Sequence, residues 1–586
     1  MKCKILSISL FSLIVSIFIS CNGSGSSEPE VSVDYKVIER ELSDPQSLNL
    51  LNGQDEMTTY ITYIAQWSLI GIDPKTLEFV PTVAKSMPLI EMGDDGRPKF
   101  TYEIREEATW DDGSPITGKD IEFSIKVIKN PKVDCERIRP YFDFIQEIII
   151  DENNPKKFTM ICKEPYFIAP HTSGDFNLLP QGVYDPEKLM DKFSLKDLTF
   201  NSDQLAEDPN IIKFADQFNS AKFQKEVLSG CGPYQFDHWE TNQRVVFKKK
   251  ANWWGDKLAN ENGWFASPRP SEIVFETITD DATAINALKG LQIDVMRSID
   301  PKIYMEDLPK DSKFTDNFNK STPAMLAYEY IGMNLKNPKF SDRKVRIALA
   351  HLVDYDAIIN NVWFGMAEQA TSTLHPTNVF YNDTLTSNTY DVAKANKLLD
   401  EAGWIDTDGD GIRDKMISGK KVQFKTTISY NQGNPRREKA CLLAQESFRQ
   451  AGIEVEVLNQ EWSVFLENQK NHNFEMFVGG WIQPTVESDP KQIWHTDGYN
   501  NGDNYLGWGT AESDKLIDDL RLEMDAEKRK PYWWKLQAMI HDDYPVIFLT
   551  TAKQRLAIAK KFDAEGTVMR PGYWLQGFKL AASNTQ

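Results

Sequence analysis

Four absences narrow the reading of this sequence before any pattern in it is considered. Positive charge is in short supply: 86 acidic against 66 basic side chains give a formal charge of −20. Phosphate backbones are bound by a basic stripe, so nucleic acid is not expected as a partner, while cationic or neutral ligands remain compatible. Histidine is scarce, and its seven copies never fall into His-Glu-x-x-His or another ligand spacing. The six cysteines contain no Cys-x-x-Cys pair, and there is no Gly-x-Ser-x-Gly elbow. Nucleophilic and zinc catalysis therefore have no candidate residues, and no enzymatic activity is expected. Past Cys21 no run is long and apolar enough to span a bilayer as a helix.

What is present begins with a targeting segment. Lys2 and Lys4 precede an apolar or hydroxylated run over residues 5–19, too short for a membrane span and suited to a signal peptide. It ends Phe18-Ile19-Ser20-Cys21, which resembles a bacterial lipobox; cleavage there leaves Cys21 as a lipidated N-terminus. Residues 22–30, NGSGSSEPE, then read as a flexible tether. The expected location is outside the cytoplasm, facing the periplasm or the cell exterior, with an ordinary secreted protein as the alternative. A chain of 586 residues is too long for one ordinary core, so two or three lobes are expected, and 41% hydrophobic content means they are well filled. Of the remaining cysteines, Cys135 with Cys162 is the one pair left open as a disulfide, with buried free thiols as the alternative.

Residues 95–125 hold the most organised stretch. Residues 99–105 alternate polar with apolar, as a strand with one buried face does. Trp110-Asp111-Asp112-Gly113-Ser114-Pro115 is a turn, and Thr117 with Asp120 has capping-box spacing at the start of a helix carrying Ile121, Ile125 and Ile128. Gly113 to Lys119 also spells most of a phosphate-binding loop. Asp120 stands where the Mg²⁺ site needs a hydroxyl, and Asp111 and Asp112 would repel a triphosphate, so turn and cap are the reading kept.

The run Phe100-Thr101-Tyr102-Glu103-Ile104-Arg105, followed by WDDGSPITGKDIEFS over 110–124, resembles the signature of the family 5 solute-binding proteins, the oligopeptide- and dipeptide-binding receptors of ABC importers. Gly230-Cys231-Gly232-Pro233-Tyr234 with Trp239 and Asn252-Trp253-Trp254-Gly255 is similar to a second family pattern, with Cys231 for the usual Thr. Residues 340–349, FSDRKVRIAL, match a third. The resemblance implies an α/β, two-lobe periplasmic-binding-protein-like fold, of type II and the large peptide-binder class, with an extra subdomain on lobe I. The implied layout is a signal peptide at 1–20 and a lipidated Cys and tether at 21–30. Lobe I takes 31–73, 196–285 and 536–586, its satellite subdomain 74–195, and lobe II 286–535. It also implies a monomer that closes on a peptide or other small solute, delivers it to ABC importer permease subunits, and is held to the membrane by its N-terminal lipid. A same-family receptor for an oligosaccharide or metal chelate is the alternative, and an exported hydrolase a more distant one.

Several residues are singled out for ligand. Residues 422–458 read strand, helix, strand, the order of a parallel sheet. Downstream, Gly479-Gly480-Trp481 ends an apolar strand with glycines that let a ligand approach the backbone and an aromatic wall beside them. In many peptide-binding relatives this run supplies an Asp for the peptide amine; Pro484 stands there, leaving Glu487 and Asp489 as the nearest acids. By the same resemblance, Glu56, Met57 and Thr58 lie at the cleft, Tyr330 on an aromatic strand and Asn504 in an Asn-rich loop. Separately, Asp406, Asp408, Asp410 and Asp414 alternate like a calcium loop, but Ile417 replaces its last acid, so this is at most a weak structural Ca²⁺ site or else a turn. No other cofactor is expected.

Overall fold

The computed structural model of the protein describes residues 34–53, 55–258, 268–484 and 487–582. The signal peptide, lipidated Cys21 and tether lie outside those residues. Two α/β lobes are each built on one large sheet. The first sheet runs Phe318–Ser321, Leu556–Ala559, Val295–Met296, Lys36–Glu41, Glu272–Thr277, Arg244–Lys249, Tyr234–Glu240. The second runs Ala367–Gln369, Val546–Ala552, Ala327–Met333, Met476–Ile482, Lys425–Asn431, Glu454–Gln460. A four-stranded antiparallel sheet, Leu89–Met92, Pro98–Glu103, Lys157–Cys162, Ile145–Ile150, forms the satellite.

Local sequence explains several of these elements. Pro98–Glu103 alternates buried with half-buried positions, as its polar–apolar pattern requires. Gly113 takes φ +81°, open to glycine at no steric cost. Thr117 and Asp120 then close a reciprocal cap on the helix Gly118–Lys129, and Trp110 Nε1 donates to Asp120 at 3.1 Å. Asp111 pairs with Lys250 at 2.6 Å, so this turn is braced by a cation of the protein's own. In the second lobe, Lys425–Asn431 and Glu454–Gln460 are parallel, Ile428 beside Val457, joined by the helix Pro435–Gln450. That helix buries Ala440, Cys441, Ala444 and Phe448, one face at helical spacing.

The layout differs from the expected one at three boundaries. The chain is still in the first sheet at Val295–Met296 and Phe318–Ser321, so it crosses to the second lobe just before Ala327, not at 286. Val546–Ala552, read as the return to the first lobe, pairs with Ala327–Met333, Ile331 beside Ile547. The return comes at Leu556, not at 536. Every residue of Val546–Ala552 is buried, and a strand covered on both faces shows no alternation that would say which sheet it joins. Finally, Leu198, Phe214 and Phe218 pack with Phe123 and Val127 of the satellite helix, so the helical segment after 195 belongs with the satellite.

The disulfide left open by the sequence is not formed. Cys135, Cys162, Cys231 and Cys441 are all free and buried. Cys135 lies in the helical core of the satellite and Cys162 in a different cluster. Burial pushes the Cys231 thiol up to about 12, and its carbonyl accepts from Trp253 and Trp254 Nε1 at 2.9 and 2.8 Å. The residue is a packed anchor for two tryptophans, unsuited to thiolate chemistry.

Candidate functional site

A cavity of about 590 Å³ is lined by all three parts. The first lobe contributes Glu56, Tyr60 and Tyr63 of the helix Glu56–Ala65 and the segment 569–576. The satellite contributes Arg137 and Asp175, and the second lobe Leu326 and residues 482–484.

The first-lobe wall is a charged lattice. Asp55 caps the helix, accepting from Thr58 N at 3.1 Å, and Glu56 sits in the first turn where the helix dipole favours an anion. Arg297 spans Glu41 at 2.7 Å, Glu56 at 3.3 Å and Glu39 at 3.4 Å, while Arg570 reaches Glu56 at 2.5 Å. Burial pushes the Glu56 carboxyl up, but Arg297 and Arg570 together outweigh it and hold it below its ordinary value. Glu39 is fully buried; burial first, then Glu41, raise it well above the carboxylate range, and it accepts from the Tyr573 hydroxyl. Glu39 Oε2 and Arg570 Nε are buried without a hydrogen-bond partner.

The second-lobe wall ends in a half-paired strand. Met476–Ile482 is paired with Ala327–Met333 along its whole length. Its other edge meets Lys425–Asn431 only at Met476 and Phe477, so from residue 478 onward that edge has no strand partner among the described residues. Gly480 is exposed, and a Cβ there would sit 3.0 Å from the Tyr328 carbonyl oxygen and 3.2 Å from Arg437. Trp481 stacks on Tyr505, ring centres 6.2 Å apart. Tyr330 is buried against Phe477, 5.7 Å between ring centres, one layer behind.

The other singled-out residues are engaged elsewhere. Met57 is buried in the first-lobe core, and Thr58 Oγ1 donates to the Ser47 carbonyl at 2.9 Å. Glu487 forms a buried ion pair with Arg529 and accepts from Trp533 Nε1 at 2.8 Å. Asp489 accepts from Arg521 at 2.8 Å and the Tyr166 hydroxyl at 2.7 Å, at a second cavity of about 720 Å³ between satellite and second lobe. Asn504 is buried, its amide donating to the His495 and Trp508 carbonyls at 3.0 and 2.7 Å. Both acids and the amide thus hold protein to protein. Glu56 lines the cavity, and Gly480 and Trp481 lie on the strand that runs into it at Ile482.

The aspartate loop brings three carboxylates together. Oxygens of Asp406, Asp408 and Asp414 lie within 4.8 Å of one another, whereas Asp410 is drawn off by Gln423. Lys421 stands among them, 2.6 Å from Asp408 and 3.1 Å from Asp414, and Asp406 accepts from Gly409 and Gly411 N. These three are the residues that fit a hard cation here, and Lys421 already supplies part of its charge.

Sequence reasoning missed Arg137, Asp175, Arg297, Arg570 and Tyr573. None carries a local pattern: they gather from separate segments of the chain, and only the tertiary structure brings them to one site.

Comparison with known proteins agrees with this architecture. A family profile described as "Bacterial extracellular solute-binding proteins, family 5 Middle" matches residues 78–503. The oligopeptide-binding protein AppA of Bacillus subtilis is 27% identical over 567 residues, covering 94% of each chain. A structure of AppA from that organism in complex with a nonapeptide superposes with TM-score 0.74 at 24% identity, over 94% of this chain and 99% of that one. The periplasmic EDTA-binding protein EppA superposes with TM-score 0.76 at 18% identity, over 95% of this chain and 99% of that one.

Proposed function

Since the chain belongs to the family 5 bacterial extracellular solute-binding proteins, a family of receptors and not of enzymes, we propose that it captures a peptide-like solute between its lobes and hands it to the permease of an ABC importer. The observation that carries this reading is the unpaired edge of Met476–Ile482 beside the cavity. An extended peptide added there satisfies its own main chain and the strand's, whatever its side chains are. The cavity lies within the 300–1,000 Å³ usual for small-molecule sites, and its tyrosine and tryptophan walls suit varied side chains. The B. subtilis relative is named for oligopeptide binding.

A metal chelate is the second reading. Arg137 and the half-satisfied Arg570 offer positive groups to a polyanion, and one structural neighbour is named for EDTA. Thermal shift against a mixed peptide pool, a set of oligosaccharides and Fe(III)-EDTA separates the readings. Peptides alone are expected to raise the melting temperature; stabilisation by sugars or the chelate alone overturns the peptide reading.

Three further parts belong to this reading. Cys21 carries the lipid that tethers a monomer to the membrane surface, so Cys21→Ser is expected to release the protein from membranes. The Trp110–Asp120 region frames the site without touching ligand. The Asp406–Asp414 loop is a turn braced by Lys421, and millimolar Ca²⁺ is expected to move the melting temperature by under about 1 °C.

A further inference from the structure

Four acids line the cavity: Glu39, Asp55, Glu56 and Asp175. Three already have work within the protein. Asp55 caps its helix, Glu56 is held between Arg297 and Arg570, and Glu39 faces Arg297 and takes the Tyr573 hydroxyl. Asp175 makes no ion pair among the described residues; burial raises its carboxyl to about 6, with no cation to oppose it. The Ser68 side chain is within hydrogen-bonding reach, but its hydroxyl donates to the Ile70 carbonyl and has one proton to give. Its other polar neighbours are Tyr63 and Tyr102, and the Tyr102 hydroxyl is engaged with Ser173 at 2.8 Å.

The backbone that carries Asp175 is also held in place. Asp175 N donates to the His171 carbonyl at 3.0 Å, and the Gly174 carbonyl accepts from Leu69 N at 2.9 Å and Ile70 N at 3.2 Å. A Cβ on Gly174 would lie 2.7 Å from the Tyr102 hydroxyl and 2.9 Å from Ile70 Cγ1, so the turn is tightly packed. An acid carried on a fixed turn in a cavity, near an aromatic residue and without an ion-pair partner, is costly in the empty protein. That arrangement suits a cation arriving from outside, which gains a charge pair in a cavity that Tyr63 also lines.

We propose that Asp175 is the specificity-determining counter-ion for a primary ammonium of the bound solute. The inference rests on the peptide reading, in which that ammonium is the free N-terminus or a lysine side chain.

The test is competition by native mass spectrometry, on the full-length wild type and on Asp175→Asn. The probes are a lysine-free pentapeptide pool with free N-termini, the same pool N-acetylated, and an N-acetylated pool with one lysine per peptide. The wild type is expected to retain an ammonium-bearing pool over the acetylated lysine-free pool by about tenfold or more. Retention of the free-terminus pool or of the lysine pool identifies which ammonium is held. Asp175→Asn is expected to bind all three pools alike. Preference unchanged in Asp175→Asn, or no preference in the wild type, overturns the inference and leaves the peptide reading standing. Binding of no pool overturns both. The ligand-free Asp175→Asn protein is also expected to melt no lower than the wild type, since the substitution removes an uncompensated charge. A clear fall would identify Asp175 as a structural acid and overturn the inference by that route.

Discussion

The cavity has two acidic corners, and they are built on opposite terms. In the first-lobe corner, Glu39, Glu41 and Glu56 share Arg297 and Arg570, so charge is answered within the protein. On the satellite side, Asp175 faces the same space with one serine hydroxyl and two tyrosines near it and no ion pair among the described residues. A compensated cluster stiffens a wall whether or not ligand is present. An uncompensated acid raises the energy of the empty state and lowers that of the loaded one. The difference separates scaffold from specificity in a site where both are made of carboxylates.

The comparison breaks most severely at Arg297. Arg297→Met leaves three carboxylates with one guanidinium, and loss of one partner from a buried pair costs about 3–5 kcal/mol. Urea denaturation is expected to show a loss of that size; a loss under about 1 kcal/mol would mean that the first-lobe corner is not the brace described here.

At Asp175 the sign reverses. Its carboxyl moves from an ordinary 3.8 to about 6, so the folded protein binds the proton more tightly than the unfolded chain does. The resulting penalty is absent below about pH 4 and fully present above about pH 6. Asp175→Asn is therefore expected to stabilise the ligand-free protein by about 2 kcal/mol at pH 7, allowing for partial exposure, with the gain fading as the pH falls to 4. Stabilisation of equal size at both pH values would contradict the charge explanation.

A smaller effect sharpens the same contrast. Affinity for free-amine peptides is expected to fall about tenfold between pH 7.5 and pH 5 as Asp175 takes up its proton, while affinity for N-acetylated peptides stays level. The groups around Asp175 do not confuse the profile: burial raises Tyr63 and Tyr102, Ser68 does not titrate, and His171 on the preceding turn is lowered by burial to about 4. Parallel loss for both peptide types, read by calorimetry, would place the titrating group elsewhere.

The smallest effect belongs to the stretch that identifies the family. Thr117→Ala removes half of a reciprocal cap and is expected to cost about 1 kcal/mol, with peptide selectivity unchanged. A shift in selectivity would mean that the satellite turn reaches the ligand.

What could be read from sequence follows the range of the interactions involved. Pro98–Glu103, the Gly113 turn and the cap at Thr117 are set by neighbours a few residues away, and the period-2 and capping patterns state them directly. Lys425–Asn431, its helix and Glu454–Gln460 form a unit for the same reason. Val546–Ala552 falls within the stretch expected in the first lobe yet joins the second sheet, because a uniformly buried strand carries no mark of its partner. Glu487 and Asp489 looked free for a ligand because Arg529 and Arg521, which neutralise them, come from helices further along the chain. Asp175, between Gly174 and Phe176, reads as part of a turn; its meaning comes from Ser68, Tyr63 and Tyr102, which only folding brings near.

The central claim is that the open edge of Met476–Ile482 and the cavity beside it hold a peptide. The most direct measurement is native mass spectrometry of protein purified without unfolding, followed by release and fragmentation of whatever it carries. Released masses that fragment as peptide ladders are the expected result. Bound masses that fragment as sugars, or that carry a metal isotope pattern with no peptide present, would contradict it.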